Sequence, residues 1–349
     1  MTKAILDQVK INSALKLFSD GQLQKALDLI DTLLVDCPNE SILFNIQGAC
    51  HAQHGSLEVA VKSYEKAIFI SPDYAKAYFN LAGTLHELQD LGTSVERYKQ
   101  ALRIEPENEA ALNNLGNVYI DLEDYTNAIE CYIKALKIKP DYVEALYSLG
   151  SSYYELGKSK EAIQTYDRLL KIRPSLPGVS NNLGNIYREL GDSDKAIECY
   201  RHAIKIEPKF VQAFFNLGII LNEASIFDDA ITAYELAVNI KPDYFEAHNN
   251  LGAVYMEIGQ IEKAIISYEN ALQINPNYVE AINNYGVALK ELGKFNEALD
   301  YHKRAVEIDP ESCEHHNNLG IVNMEIGNLD EAVKNYDEAI NINPDYKEA

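Results

Sequence analysis

Basic residues are scarce in this sequence. It holds 31 lysine and arginine residues against 53 aspartate and glutamate residues, a formal net charge of −22 at neutral pH. DNA, RNA and anionic lipid surfaces recruit basic side chains, so we expect neither a nucleic-acid nor a membrane partner. Long apolar runs are also missing: no stretch approaches the roughly 18 apolar residues of a membrane span, and residues 1–10 have no apolar signal core. We therefore expect a cytoplasmic protein.

The residues that usually carry chemistry are few and scattered. The five cysteines have no CxxC spacing, which argues against a zinc site and against a disulfide framework. All but three of the 18 glycines occupy two periodic positions, so no phosphate-binding loop or dinucleotide fingerprint remains. The pairs His51 with His54 and His315 with His316 have no carboxylate or cysteine placed to complete a metal site. We expect no cofactor and no catalysis by this chain alone.

Proline, by contrast, is strictly periodic. Ten of the eleven prolines recur every 34 residues, and only Pro177 is out of phase. A fixed period of this length predicts one array of structural repeats instead of separate globular domains. With the periodic proline as position 32, residues 1–6 form a lead-in, residues 7–346 form ten repeats, and residues 347–349 begin an incomplete eleventh. The repeats start at Asp7, Ser41, Ala75, Glu109, Val143, Pro177, Val211, Phe245, Val279 and Cys313.

Two apolar stripes in each repeat predict two helices. Positions 3, 7, 10 and 14 step by four, three and four, and positions 20, 21, 24, 27 and 28 make a second stripe. Position 15 between them is glycine in seven repeats and predicts a turn, while the proline ends the second helix. Small residues at positions 8, 20 and 27 let the two helices approach closely, beside a tyrosine at position 24. One helix pair cannot bury both its apolar faces, so the pairs must stack into an all-α fold.

The whole pattern resembles the tetratricopeptide repeat. The fourth repeat holds it in order: Leu115, Gly116, Tyr119, Ala128, Tyr132, Ala135 and Pro140. The other repeats keep most of it in phase over residues 7–346. The resemblance implies a right-handed α-solenoid, a superhelix of ten 34-residue helix-turn-helix repeats whose first helices line the concave surface. It also implies binding of peptides or proteins.

Position 6 holds a polar residue that packing does not require. It is asparagine in eight repeats, with Ile46 and Ser148 as the exceptions. The position lies about 100° round the helix from the apolar residue at position 7, hence beside the buried stripe. A primary amide can pair with the N–H and C=O of any peptide, so a row of amides predicts a ladder along an extended ligand. The row resembles that in the repeat region of O-linked N-acetylglucosamine transferases. The alternative is that these asparagines bridge neighbouring repeats. The candidate ligand-binding residues are Asn80, Asn114, Asn182, Asn216, Asn250, Asn284 and Asn318.

A row of acidic residues at position 13 should run parallel to the ladder. A carboxylate near the C-terminus of a helix opposes the helix dipole by about 0.3–1 kcal/mol, so something must offset it. Either Lys137, Lys171 and Lys205 pair with the row, or the row selects ligand segments that contain lysine or arginine. The candidate residues are Glu155, Glu189, Glu223, Glu257 and Glu291.

Three functions fit these observations. The first is a protein-interaction scaffold that binds extended peptides in its groove. The second is the substrate-recognition region of a larger glycosyltransferase, like O-linked N-acetylglucosamine transferase, whose catalytic domain is not in this sequence. The third is a self-assembling structural module, since the last complete helix repeats the core positions Ala332, Val333, Tyr336, Ala339 and Ile340 and leaves that face without a cap.

Overall fold

A computed structural model describes the backbone of residues 3–347 and the side chains of residues 9–347. Across these residues the chain forms twenty helices and no strand. The predicted all-α fold of ten helix-turn-helix repeats is confirmed. The helices are α1 (Lys3–Ser19), α2 (Leu23–Asp36), α3 (Ser41–Gln53), α4 (Leu57–Ile70), α5 (Ala75–Glu87), α6 (Leu91–Ile104), α7 (Glu109–Asp121), α8 (Tyr125–Ile138), α9 (Val143–Glu155), α10 (Ser159–Ile172), α11 (Pro177–Glu189), α12 (Ser193–Ile206), α13 (Val211–Glu223), α14 (Phe227–Ile240), α15 (Phe245–Glu257), α16 (Ile261–Ile274), α17 (Val279–Glu291), α18 (Phe295–Ile308), α19 (Cys313–Glu325) and α20 (Leu329–Ile342).

The structure describes the two ends of the chain only in part. Helix α1 begins at Lys3 and so includes part of the predicted lead-in, whose first two residues lie outside the described part. Of the predicted start of an eleventh repeat at residues 347–349, only Lys347 is described, in a turn.

Within a repeat, the two helices are held together by a glycine and a tyrosine. The position-24 tyrosine lies directly against the position-8 glycine: a Cβ atom on Gly116 would lie 2.6 Å from Cε1 of Tyr132. The same contact recurs in most repeats, and Tyr132 itself is fully buried. In the ninth repeat His302 replaces the tyrosine and lies against Gly286 in the same way. Glycine leaves room for the ring at this distance, which explains why it recurs at position 8.

The turn at position 15 has one backbone conformation whichever residue occupies it. Glycine adopts a positive φ there in seven repeats, for example +68° at Gly157. Gln89, Glu123 and Ser225 occupy the same position in the other three repeats, with φ of 62°, 57° and 58°. The left-handed conformation therefore belongs to the turn, and three repeats adopt it at a steric cost that glycine avoids.

The helices form two compact units, an N-terminal half that ends at Pro174 and a C-terminal half that begins at Ser175. In the N-terminal half the first helices of successive repeats touch one another, from α1 through α3, α5 and α7 to α9. In the C-terminal half the same is true from α11 through α13, α15 and α17 to α19. Each half is thus a stack of helix pairs, and the first helices place their position-6 and position-13 side chains in register on one face. We call this the ladder face of each half.

Candidate functional site

The predicted site residues are divided between the two halves. The candidate asparagines at position 6 are half-buried, which agrees with a place beside the apolar stripe, and the position-13 carboxylates are exposed. The N-terminal half holds Asn80, Asn114 and Glu155. The C-terminal half holds Asn182, Asn216, Asn250, Asn284, Asn318, Glu189, Glu223, Glu257 and Glu291.

Hydrogen bonds join the position-6 asparagines to the preceding repeat. Where that repeat has an asparagine at position 5, the position-6 Nδ2 atom donates to its Oδ1 atom. Four bonds of 3.0–3.1 Å run from Asn80 to Asn45, from Asn216 to Asn181, from Asn284 to Asn249 and from Asn318 to Asn283. The accepting asparagines are at most 7 % exposed. Each bond therefore satisfies a buried polar group and also bridges two repeats.

Where position 5 is aromatic, the position-6 asparagine of the next repeat has a different hydrogen-bond partner. The third repeat has Phe79 there, and Asn114 of the next repeat hydrogen-bonds to the hydroxyl of Tyr98 instead. The seventh repeat has Phe215, and Asn250 bonds to the hydroxyl of Tyr234 in the same manner. Burial raises the pKa of Tyr98 to about 12, and the bond from Asn114 opposes that rise. In both arrangements the amide is directed toward the preceding repeat.

These bonds leave the carbonyl side of the amide available. In the part of the chain that the structure describes, no protein group donates to Oδ1 of Asn80, Asn216, Asn284 or Asn318. The Nδ2 atom of Asn216 is used twice, since it also donates to Asn185 at 3.2 Å. These four half-buried amides thus offer a ligand mainly an acceptor, whereas the Oδ1 atoms of Asn114 and Asn250 accept from the adjacent Asn113 and Asn249 at 3.4 Å. Bridging between repeats and binding of a ligand are compatible in this geometry.

The acidic row lies on the same face as the ladder. The carboxylates of Glu87, Glu223 and Glu257 raise the pKa of the position-24 tyrosine in their own repeats, after the larger effect of burial. Two of those tyrosines also bond to the ladder asparagines described above. Across the described residues, Lys137, Lys171 and Lys205 form no ion pair with the row. Two members of the row have a basic neighbour: Asp121 lies 2.5 Å from the imidazole of His86, and Glu291 lies 3.1 Å from the adjacent Lys290.

The last described helix exposes apolar side chains. On α20, Leu329 is 61 %, Val333 58 % and Ile340 41 % exposed. Beside it, the buried Oδ1 atom of Asn317 has no hydrogen-bond partner. Self-association through this face stays a prediction.

The position-5 asparagines are hydrogen-bond partners of the ladder that the sequence did not single out. They alternate irregularly with aromatic residues, and neither period nor packing distinguishes them from ordinary core positions. No sequence signal marks them, because position 6 of the next repeat is also asparagine after Phe79, Tyr147 and Phe215.

The fold and the repeated face define a helical-repeat protein. The chain belongs to the tetratricopeptide repeat family, because family models match most of its length. A model described as "TPR repeat" matches residues 51–89, 83–122, 116–157, 150–191, 184–224 and 226–259. Models described as "Tetratricopeptide repeat" match residues 243–311 and 314–346.

Individual proteins resemble only parts of the chain. A peroxisomal targeting signal receptor of Kluyveromyces lactis is 28 % identical over 75 residues, which are 22 % of this chain and 13 % of that protein. Among solved structures, MamA is 25 % identical with a TM-score of 0.44, over 46 % of this chain and 95 % of that one. YrrB, described as a TPR protein with an unusual peptide-binding site, is 21 % identical with a TM-score of 0.46, over 52 % and 94 %.

Two kinds of feature were not found among residues 3–347. No group of three or more histidine, cysteine, aspartate or glutamate side chains is arranged to hold a metal ion. No helix there combines the length and the apolar character needed to cross a bilayer.

Proposed function

We propose that this chain is a protein-interaction scaffold whose ladder face binds extended peptide segments, with the asparagine Oδ1 atoms accepting hydrogen bonds from the peptide backbone. The observation that carries the proposal is the common orientation of the amides. At Asn80, Asn216, Asn284 and Asn318 the nitrogen donates into the stack and the oxygen has no protein donor. An extended peptide presents backbone N–H groups at regular intervals, whatever its side chains.

The acidic row supports the same function. Its carboxylates are exposed, and among the described residues no lysine or arginine forms an ion pair with Glu155, Glu223 or Glu257, so the ladder face carries negative charge. Such a field repels acidic segments and attracts basic ones, with a strength that falls as salt is added. The relative from Kluyveromyces lactis is described as a receptor for a targeting signal. We infer a binding role for this chain as well, without catalysis of its own.

Two matched variants test the role of the ladder. The first replaces Asn216, Asn284 and Asn318 by alanine and removes both the bridging bonds and the open oxygens. The second replaces Asn181, Asn249 and Asn283 by alanine; it breaks the same three inter-repeat bonds but leaves the position-6 amides in place. The probe is a pool of random-sequence decapeptides labelled with a fluorophore, and the measurement is the bound fraction at equilibrium with each full-length chain.

We expect the first variant to bind the pool about tenfold more weakly than the second, since each lost charge-neutral hydrogen bond is worth about 0.5–1.5 kcal/mol. Circular dichroism at the same temperature shows that both variants are folded. Equal binding by the two variants would contradict a direct role for the ladder oxygens. Binding that is absent from the unmodified chain as well would contradict the scaffold function itself.

A further inference from the structure

The ladder face of the C-terminal half carries a row of aliphatic side chains at position 9. Positions 6, 9 and 13 lie within about 60° of one another around a helix, so this row shares the face of the asparagines and the carboxylates. Along the helix it lies about 4.5 Å from the asparagine row and about 6 Å from the acidic row. The aliphatic row consists of four half-buried residues, Ile219, Ala253, Val287 and Ile321.

Hydrogen bonding within a repeat does not require an aliphatic residue at position 9. Asn117 and Asn185 occupy it in the fourth and sixth repeats, and each Oδ1 atom accepts a bond of 2.8 Å from the hydroxyl of the position-24 tyrosine of its own repeat. In the fifth repeat Ser151 lies 2.8 Å from the hydroxyl of Tyr166. An aliphatic side chain cannot make this bond. Apolar contact with a ligand would offset its loss.

The N-terminal half does not continue the row. Gly83, Asn117 and Ser151 occupy position 9 of the third, fourth and fifth repeats. The asparagine ladder is also interrupted there at Ser148, and the buried Oδ1 atom of Asn113 in the preceding repeat has no hydrogen-bond partner among the described residues. From the seventh to the tenth repeat, by contrast, both rows are continuous. Position 6 of these four repeats is Asn216, Asn250, Asn284 and Asn318.

The spacing of the aliphatic row determines the spacing of the side chains that can contact it. The first helices α13, α15, α17 and α19 touch in succession, and packed helices lie about 8–10 Å apart. A polyproline II chain rises about 3.1 Å per residue with three residues per turn, so it returns a side chain to the same side every 9.3 Å or so. A β-strand does so every second residue, about 6.7 Å, which does not match. The polyproline II conformation also leaves its backbone N–H groups free for the ladder.

The acidic row favours basic ligand residues between the aliphatic ones. Glu223, Glu257, Glu291 and Glu325 occupy position 13 of the same four repeats and are exposed. Glu291 lies 3.1 Å from Lys290, whereas among the described residues no lysine or arginine forms an ion pair with Glu223 or Glu257. Ligand side chains directed toward this row are therefore favoured when they carry positive charge.

We propose that the ladder face of the C-terminal half binds a segment in the polyproline II conformation that has an aliphatic side chain at every third residue and basic side chains between them. The aliphatic side chains contact the aliphatic row, one to each repeat, and backbone N–H groups donate to the ladder. The proposal rests on the proposed function, because it names the ligand class for the same face.

The test uses the full chain and three fluorescent dodecapeptides. The first repeats leucine-lysine-proline four times. The second has the same composition with its leucines at every second residue, and the third is the first with glutamate in place of lysine. The variant Ile219→Ser with Val287→Ser introduces the residue that the fifth repeat has at position 9. The matched control is Leu236→Ser with Ile266→Ser, at exposed residues of α14 and α16.

We expect the first peptide to bind about tenfold more tightly than the second, and this preference to fall to about twofold in Ile219→Ser with Val287→Ser. The control should keep the preference, as should Ile219→Val with Val287→Ile, which retains the aliphatic row. Circular dichroism shows that each variant is folded, and fluorescence anisotropy gives the dissociation constants. Equal binding of the first two peptides, or a preference that survives the serine variant, overturns the inference.

The third peptide tests the charge. We expect it to bind about tenfold more weakly than the first, and the difference to shrink in Glu223→Gln with Glu257→Gln. Asp228→Asn with Glu262→Gln removes the same charge from exposed positions on the second helices of the same two repeats and should leave the difference larger. Equal effects of the two variants would contradict a role for the acidic row in selecting basic residues.

The random decapeptide pool separates these failures from failure of the scaffold. If the pool binds in a ladder-dependent way and leucine spacing has no effect, the aliphatic row does not select the ligand and the scaffold stands. If neither the pool nor the dodecapeptides bind, both proposals fail.

Discussion

The side-chain nitrogen of Asn284 donates to the Oδ1 atom of Asn249, 3.1 Å away in the preceding repeat. Asn249 is 5 % exposed and Asn284 is half-buried, so the pair connects the core of one repeat to the surface of the next. The bond links residues 35 positions apart, one more than the repeat length. The bond therefore depends on how the first helices of the two repeats are aligned. Removing either partner should weaken the interface between these two repeats.

A double-mutant cycle on this pair measures the interface directly. Asn284→Ala leaves the buried Asn249 oxygen without a donor and should cost about 1–3 kcal/mol of unfolding free energy, whereas Asn249→Ala removes that acceptor. The two changes together should cost less than their sum by about 1 kcal/mol, as seen in urea titrations. Asn181→Ala with Asn284→Ala is the control, since two repeats separate those residues and their effects should add. Additivity in the contacting pair as well would show that the bond is not formed.

The contact between glycine and tyrosine predicts opposite effects for one substitution at two sites. Gly116→Ala places a Cβ atom 2.6 Å from Tyr132 and should destabilise the chain by about 1–3 kcal/mol, because a fully buried ring cannot move aside. On α6, a Cβ atom added at Gly92 would have no atom within 4 Å, so Gly92→Ala should stabilise the chain by up to about 1 kcal/mol. Thermal unfolding followed by circular dichroism distinguishes the two. If both variants shift the midpoint the same way, the close contact is not what retains Gly116.

The three non-glycine residues at position 15 are sites for stabilisation. Glu123 has a φ of 57°, a conformation that costs an ordinary residue about 1–2 kcal/mol. Glu123→Gly removes that strain, and after the greater entropy of glycine in the unfolded chain a gain of about 0.5–1 kcal/mol should remain. Glu123→Ala keeps the strain and serves as the control, so equal midpoints for the two variants would argue against strain at this turn.

His302 should make the chain sensitive to acid. It replaces the position-24 tyrosine, is fully buried, and both its ring nitrogens lack partners. Burial lowers the pKa of His302 from 6.5 to about 4, and the positive charge of Lys290 and the neighbouring His315 add to that effect. Between pH 6.5 and 4 the unfolded state binds the proton and the folded state does not, so stability falls as the pH falls.

The loss over that range is on the order of 3 kcal/mol from this one group. His302→Tyr restores the residue found in most of the other repeats and should remove that part of the acid sensitivity. Urea midpoints at pH 7 and pH 4.5 for the two chains give the measurement. His54→Gln, at an exposed histidine, should change nothing. An unchanged difference between the two pH values in His302→Tyr would assign the acid sensitivity to other groups.

The fold could be predicted from the sequence alone, because the 34-residue period appears in residues that helix packing requires. The contact of Gly116 with Tyr132 lies within one repeat and recurs in most of the repeats. The sequence also placed the position-6 asparagines beside the core. It could not assign their partners, because a bond such as that from Asn80 to Asn45 depends on how two helices from different repeats are aligned. In the sequence, Ser148 is only an exception to the row of position-6 asparagines. The sequence could not show that Asn113, in the preceding repeat, has a buried Oδ1 atom without a hydrogen-bond partner.

Since repeat proteins are stabilised by near-neighbour terms, the unpaired oxygen of Asn113 has a consequence for how the N-terminal half opens. A buried acceptor without a donor weakens the interface between α7 and α9 by about 1–3 kcal/mol relative to its neighbours. Amide protons in α9 and α10 should then exchange with solvent sooner than those of α5 to α8. The first partial unfolding event of the N-terminal half would then separate the fifth repeat from the fourth.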